Sequence, residues 1–550
     1  MIGTKIRELT LNLTKTCSVV GTTGERVMAE EIYSFFAGMD YFKTHPEQLE
    51  KVAVPNDPVG RFSVLAWVKG EKNCDVSVQQ KAVLCLGHID TAGIEDYGDL
   101  KSYATNSEII KQKLKAIQFS EDTAREIESE DWLFGRGIFD MKAGVAAQMI
   151  MMEEFSKRLQ SFSGVLVFIG VPDEEGNSAG MLSVVPRLEK LAATKCWDFQ
   201  AAVNTDYMTT RYPGDENKYI YIGTVGKLLP CFYIYGEETH VGEAFNGLDA
   251  NLLASELLRQ IDFNTEFCDI ADSEVAQPPV SLQQRDLKKE YSVQTVNAVS
   301  IFFNHATHNS QPAEVLMKYM EKAALSFQTV IDLLNEQYKR FCLLSQIPLQ
   351  KLPWQVCVMT FDELYTAVKD EVGSMIDQRI EKIAAEKKSS GADDREISLA
   401  IVQEVHSHYS NQNSKIVVYF APPYYPHMFV DGSTAKEQKL LAIVEQTIKE
   451  TQEKFSYTLV TKKFYPFISD LSYCNISHND ATIAALTKNM PAWMRSYSLP
   501  VTSIQNISMP VVNIGPFGKD AHKLSERLCT NYSFDAMPFI LEKTLTGLLK

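Results

Sequence analysis

The sequence predicts an α/β protein, a mostly parallel sheet sandwiched by helices, with a second α+β domain inserted into it. Three observations carry that expectation. The first 210 residues alternate apolar β-branched runs with amphipathic helical stretches, the pattern of a parallel sheet covered on both faces. Residues 213 to 350 read instead as β-β-α-β-α, which suits an antiparallel layer. The α/β pattern then returns toward residue 550. At about 150 residues per domain, the length allows roughly two to four domains.

Composition narrows the class further. Hydrophobic residues at 45%, charged residues at 23%, 28 Gly and 21 Pro fit a folded, water-soluble chain and exclude a collagenous or largely disordered one. Seventy acidic against 54 basic side chains leave a formal charge of −16, a field that repels phosphate backbones and anionic membranes. Neither nucleic acid nor a membrane is an expected partner. The segment from Met1 to Leu9 has no basic-then-apolar signal pattern, and no apolar run approaches a spanning helix, so a cytoplasmic protein is expected. The ten cysteines, Cys74 among them, are scattered without a Cys-x-x-Cys pair and read as reduced core thiols.

In chain order, buried strands are predicted at Ala82 to Leu86, Val165 to Val171 and Ala201 to Val203, with a helix from about 142 to 158. The inserted domain is expected to hold strands at Tyr219 to Ile222, Leu228 to Tyr235 and Ser292 to Phe303, and helices at Ala250 to Ile261 and from Pro312. Phe361 to Ser410 is charged and helical in pattern, broken at Ser389-Ser390-Gly391, and its Glu-Lys run reads as a solvated face without chemistry. A strand at Lys415 to Phe420, a helix from Ala435, a strand at Val511 to Ile514 and a terminal helix complete the chain. The predicted domains are 1–212, 213–350 and 351–550, the last combining the helical extension with the rest of the α/β domain.

Each predicted strand end carries ionisable residues, and open α/β sheets bind ligands beyond the carboxyl ends of their strands. Gly87-His88-Ile89-Asp90 offers a metal-ligating imidazole with an acid two residues on that can accept its other ring N–H. Taken alone, such a histidine is more often merely hydrogen-bonded. Gly135-Arg136-Gly137-Ile138-Phe139-Asp140 puts a carboxylate where a helix begins, either as its cap or as a bridge between paired cations. Asp173-Glu174-Glu175 places three acids at a buried edge, where a bound cation would offset their repulsion and a solvated acidic turn is the plain alternative. Asp206 ends the third strand, and His522 lies in the loop Gly515-Pro516-x(5)-His522-x-x-x-Glu526. Each signal is weak singly. Together, His, Asp, Glu and Asp at strand ends with one late His supply five N/O ligands, the set expected for paired zinc or similar ions.

In this order the motifs resemble the two-metal amidohydrolytic peptidases that include aminoacylase, carboxypeptidase G, acetylornithine deacetylase and succinyl-diaminopimelate desuccinylase. The chain is most similar to their longer arginine-utilisation, RocB-type branch, judged by Ser18-Val19-Val20-Gly21-Thr22-Thr23-Gly24-Glu25, Pro422-Pro423-Tyr424-Tyr425-Pro426 and the extra length. The resemblance implies a zinc-dependent exopeptidase-like fold with a lid domain and a homodimer formed through it. It implies two divalent ions, zinc or alternatively cobalt or manganese. His88 and Asp206 would hold one, Glu175 and His522 the other, with Asp140 as the bridge. Glu174 would be the general base, Asp90 the acid orienting His88, and His240 a group that polarises the scissile carbonyl. Asn251 and Gly515 match substrate-contacting positions. The strand Ala298 to His305 lacks the arginine that many relatives place near its end to grip a substrate carboxylate.

The activity so implied is hydrolysis of a peptide or N-acyl amino acid amide bond by a metal-activated water, in amino-acid or arginine catabolism. Two alternatives stay open: hydrolysis of a ureido or guanidino C–N bond, and a non-catalytic binding or regulatory protein that keeps the fold.

Overall fold

The computed structural model describes residues 2–72, 79–476 and 480–550, so Met1 and Cys74 lie outside the described residues. Their contacts divide the chain into two compact units. One comprises Met1–Val225, Pro426–Ile476 and Pro500–Lys550, the other Gly226–Tyr425 and Ser477–Leu499.

The first unit is built on an eight-stranded sheet. Its spatial order is Leu49–Ala53, Phe62–Lys69, Val165–Val171, Gln80–His88, Trp197–Asn204, Val511–Asn513, Lys218–Tyr221, Leu459–Lys462. The four central strands, from Val165–Val171 to Val511–Asn513, run parallel. Their continuous apolar runs are buried along their whole length, as a strand covered on both faces requires. The helix Ala143–Ser156 shows the same demand: eleven of its fourteen residues are buried, and Gln148 spends its amide on the Leu86 carbonyl at 2.6 Å and the Thr205 hydroxyl at 2.9 Å. The parallel arrangement brings His88, Val171, Asn204 and Asn513 to the same end of the sheet.

The strand Lys218–Tyr221 joins this sheet, pairing parallel with Leu459–Lys462, rather than the inserted layer expected from its sequence. Its Tyr-Ile-Tyr-Ile alternation suits either sheet, and only the partner decides. The second unit therefore opens at Gly226.

The second unit holds a five-stranded sheet in the order Val280–Asp286, Ala298–Thr307, Gly226–Tyr235, Lys415–Tyr425, Val358–Thr360. The strand at 415, expected to restart the α/β domain, pairs antiparallel with Gly226–Tyr235. The charged helical stretch belongs here as well. It forms Phe361–Val372, Met375–Ser389 and Asp394–Ser407, broken at 389–391 as predicted. Ile376, Ile380, Ile397 and Val405 pack with Cys231, Tyr233, Val417 and Tyr419. A stretch that reads as a solvated face thus also closes one side of this sheet. Against the sheet also pack Ala250–Ile261 and the long helix Pro312–Ser345, with Phe232, Phe303 and Tyr319 in contact.

The nine described cysteines are all free thiols, four of them buried; Cys17 and Cys196 are exposed and so are not core thiols. Among the described residues no helix is long and apolar enough to cross a membrane.

Candidate metal centre

Five predicted ligands converge at the carboxyl ends of the central strands of the first unit. The ligand atoms of His88, Asp140 and Asp206 all lie within 4.8 Å of one another, and so do those of Asp140, Glu175 and His522. Asp140 belongs to both groups. Its Oδ1 lies 3.0 Å from His88 Nε2 and its Oδ2 2.9 Å from His522 Nε2, while Glu175 Oε1 lies 2.8 Å from the same His522 nitrogen.

Local structure explains how each group is held. Asp140 sits not on the helix but in the irregular turn before it, at φ −117° and ψ 97°, after Gly137 takes φ +77°. Asp206 follows its strand through a side-chain clasp: Asp206 N donates to Asn513 Oδ1 at 2.9 Å, and Asn513 Nδ2 donates back to the Asp206 carbonyl at 2.7 Å. Two glycines permit the close approach around it. A Cβ on Gly144 would stand 2.0 Å from the Thr205 carbonyl oxygen, and one on Gly515 1.7 Å from that of Asp206. Packing alone thus accounts for Gly515. His522 adopts φ +63°, a left-handed conformation that costs a β-carbon residue about 1 kcal/mol and is held by its loop.

The structure divides the role expected of Asp90. The His88 Nδ1 meets the Asp90 backbone carbonyl at 3.1 Å, whereas the nearest carboxylate oxygen is 3.7 Å away. That carboxylate instead receives two backbone N–H groups, from Glu174 at 3.2 Å and Glu175 at 3.0 Å. Asp90 therefore ties the His88 strand end to the acidic segment beside it. A second tie comes from Glu25, which accepts from Asp173 N at 2.9 Å while Arg61 bonds both Glu25 and Asp173.

The electrostatics fit cations at this place. Burial disfavours charge on His88, yet the Asp140 hydrogen bond and nearby acids hold its pKa well above the ordinary value. Burial opposes charge on His522 too, and its bonds to Asp140 and Glu175 nevertheless raise it to about 11. Asp206 is pushed up to about 7 by burial and by Asp140. Each histidine nitrogen lies against an Asp140 oxygen, and these same nitrogens and oxygens, freed of protons, form two sets sharing one carboxylate. Glu174 belongs to neither set. Among the described residues its buried Oε1 has no hydrogen-bond partner, and burial raises its pKa well above the usual range.

His240 and Asn251 belong to the second unit. The His240 ring is exposed and its Nδ1 accepts from Gly242 N at 3.0 Å; Asn251 donates its backbone N–H to the Asp249 carboxylate at the start of a helix. Sequence reasoning assigned nothing to Asp470, which is buried near Glu174. It follows no apolar strand run, so no pattern marks it.

This fold, with such a donor set at the end of its parallel strands, defines a metal-binding hydrolase acting on C–N bonds. The chain belongs to peptidase family M20/M25/M40, whose profile matches residues 111–486. It is similar to two proteins of Bacillus subtilis (strain 168). Protein RocB is 31% identical over 546 residues, covering 99% of this chain and 95% of that one; YqjN, described as uncharacterized, is 37% identical over 540 residues, covering 97% and 94%. The crystal structure of aminopeptidase PepT from Bacillus cereus ATCC 10987 shares the fold, with a TM-score of 0.51 at 12% identity, over 100% of this chain and 99% of that one.

Proposed function

We propose that the protein hydrolyses the amide bond of a peptide or an N-acyl amino acid, with Glu174 as general base. The observation that carries this reading is the double grip on Asp140, one histidine on each oxygen, with Asp206 and Glu175 completing two sets and Glu174 left over. His88 and Asp206 would hold one divalent cation, Glu175 and His522 a second, and Asp140 would bridge them. Bound there, zinc, cobalt or manganese would acidify a water and polarise a carbonyl oxygen.

The chain's own residues supply the rest. Glu174, buried and with a raised proton affinity, accepts a proton at its unpartnered Oε1 and returns it to the leaving nitrogen. The Asp90 carboxylate accepts the Glu174 backbone N–H at 3.2 Å, which ties the segment carrying the base to the end of the His88 strand. By the family resemblance, His240, with Nδ1 occupied, would offer Nε2 to the substrate's carbonyl oxygen, and Asn251 and Gly515 would be substrate-contacting positions. The second unit also supports a homodimer. Its sheet ends in the edge strand Val280–Asp286 with Leu282 exposed, and Phe341 and Leu344 stand exposed on its long helix.

The test is metal analysis of the purified protein with a screen over N-acyl amino acids, short peptides and carbamoyl compounds. About two divalent ions per chain and amide cleavage lost on chelation are expected. A protein that binds no divalent ion and cleaves none of these with zinc, cobalt or manganese added would overturn the reading.

A further inference from the structure

The segment Ser18 to Glu25 supplies none of the proposed ligands, yet it is woven into the same strand ends. Val20 N donates to the Thr91 carbonyl at 3.0 Å, Thr91 N to that of Ser18 at 2.9 Å, and Ser18 Oγ to that of Ile89 at 2.8 Å. The segment therefore runs beside the residues that follow His88. Gly24 permits the close approach: a Cβ there would stand 1.9 Å from the Cys17 carbonyl oxygen. The helix Thr23–Gly38 begins at this point, and its first turn carries the buried Glu25.

One Glu25 oxygen accepts from Asp173 N at 2.9 Å and the other from Gly21 N at 2.7 Å. Two carboxylates held this close repel, and Arg61 stands between them. Its Nη1 lies 2.6 Å from Asp173 Oδ1 and 3.2 Å from Glu25 Oε2, while Nε and Nη2 meet Asp57 Oδ1 at 2.9 and 2.7 Å. One guanidinium thus serves three carboxylates, and its side chain is only 11% exposed. Sheet topology delivers it to this place. The strand Phe62–Lys69 runs antiparallel to Val165–Val171 with Val64 opposite Gly170, and the same register carried on sets Arg61 opposite Asp173.

Asp173 needs such a hold. It takes φ +71°, a left-handed conformation that residues with a β-carbon seldom adopt, directly before Glu174 and Glu175. Its Oδ2 accepts from Ala179 N at 3.1 Å, at the start of the helix Ala179–Lys195. The base and the ligand therefore hang between two anchors: Asp90 receives their backbone N–H groups, and Arg61 fixes the side chain of the residue before them. Without the guanidinium, Glu25 and Asp173 face each other as like charges out of water, and separating them moves the turn that carries Glu174.

We propose that Arg61 is a positioning residue for Glu174 and Glu175, acting through Asp173 and Glu25 and touching neither metal nor substrate. The inference rests on the reading of the site as a metal-dependent hydrolase and adds to it a part of the chain outside every ligand motif. The place calls for arginine rather than for any cation. A planar fork of N–H groups reaches three carboxylates at once, whereas a lysine ammonium is a single point of charge.

Cobalt-loaded wild type, Arg61→Ala and Arg61→Lys test this by the visible absorption of the bound cobalt, by calorimetric cobalt affinity and by turnover at saturating cobalt. Both variants are expected to change the absorption, to bind one ion about 10–100-fold more weakly and to lower kcat on a similar scale with KM little altered. Millimolar guanidinium, far below denaturing concentrations, should restore Arg61→Ala toward wild type by refilling the vacated place, and should leave wild type unchanged. Arg61→Lys keeps a cation and carries the test where Arg61→Ala does not fold. Urea unfolding of the same proteins separates a purely structural role. A lowered unfolding midpoint with wild-type absorption, affinity and turnover in the folded, loaded variants overturns the proposal. Altered absorption in the variants of a protein that cleaves no amide would leave Arg61's role standing and remove the hydrolytic reading, whereas amide cleavage with identical absorption and turnover in all three proteins would do the reverse.

Discussion

Arg136 and Glu526, 390 positions apart in the chain, meet in a buried ion pair of 2.8 Å. Arg136 is 1% exposed and Glu526 fully buried, and the other Glu526 oxygen accepts from Gly137 N at 2.8 Å. The loop that presents His522 is thereby bolted to the turn that presents Asp140, so one carboxylate ties together the segments of two of the three groups in the second set.

Removing that carboxylate leaves a buried guanidinium with Asp96, at 2.7 Å, as its remaining acidic partner among the described residues and the Tyr97 ring beside it. Glu526→Ala is expected to cost about 3 kcal/mol in denaturant unfolding, the usual scale for breaking a buried pair. It should also weaken metal binding at the His522 set by tenfold or more, since supporting contacts of that kind tune affinity. Unaltered metal affinity in a destabilised variant would limit the pair to a folding role.

Glu174→Gln keeps the shape of the side chain and removes its basicity. Metal content is expected to stay at the wild-type value while turnover falls by about 10²–10⁴-fold. Asp140→Ala should behave in the opposite sense, losing metal because both sets share that carboxylate. Equal turnover in wild type and Glu174→Gln would take Glu174 out of the reaction.

Gly515 is a position where one methyl group decides the geometry. Its Cβ would fall 1.7 Å from the Asp206 carbonyl oxygen, and that carbonyl is already held by Asn513. Gly515→Ala is expected to destabilise the protein by about 1–3 kcal/mol and to lower metal affinity by displacing Asp206. Thermal melting together with metal titration checks both effects; a variant matching wild type in each shows that the loop yields freely.

The second unit should lose stability in mild acid because of His305. Burial drives its pKa down to about 4, and it accepts or donates through Nδ1 to the Tyr319 hydroxyl at 3.1 Å. The ordinary value near 6.5 applies in the unfolded chain, so the unfolded state binds the extra proton first as pH falls. The stabilisation is complete above about pH 6.5 and is lost progressively down to about pH 4, by about 3 kcal/mol in all. Urea unfolding at pH 7 and pH 4.5 should show a smaller drop for His305→Gln than for wild type. Identical drops would assign the acid sensitivity elsewhere.

Much of the site was legible in the sequence because each ligand sits directly after an apolar strand run or inside a glycine-marked turn. His88, Glu175 and Asp206 are read that way, and Asp140 and His522 by their glycines. Asp470, an acid buried near Glu174, was not legible, since it lies in a short turn with no apolar strand run directly before it. The division of Asp90's role was also invisible: backbone carbonyl and carboxylate carry the same residue name, and only geometry tells which of them meets the imidazole.

Residue pattern by itself determined the parallel centre of the large sheet, the helices at 250–261 and from 312, and the ordered set of metal-ligating residue types. These follow from local periodicity and strand-end chemistry, which the chain carries without reference to distant partners. Tertiary structure alone decided which sheet takes Lys218–Tyr221 and Lys415–Tyr425, and which core the charged helices of 361–407 complete. Strand alternation and helical amphipathicity specify a buried face but not what covers it; that choice is made by pairing across hundreds of residues, as Arg136 and Glu526 also show.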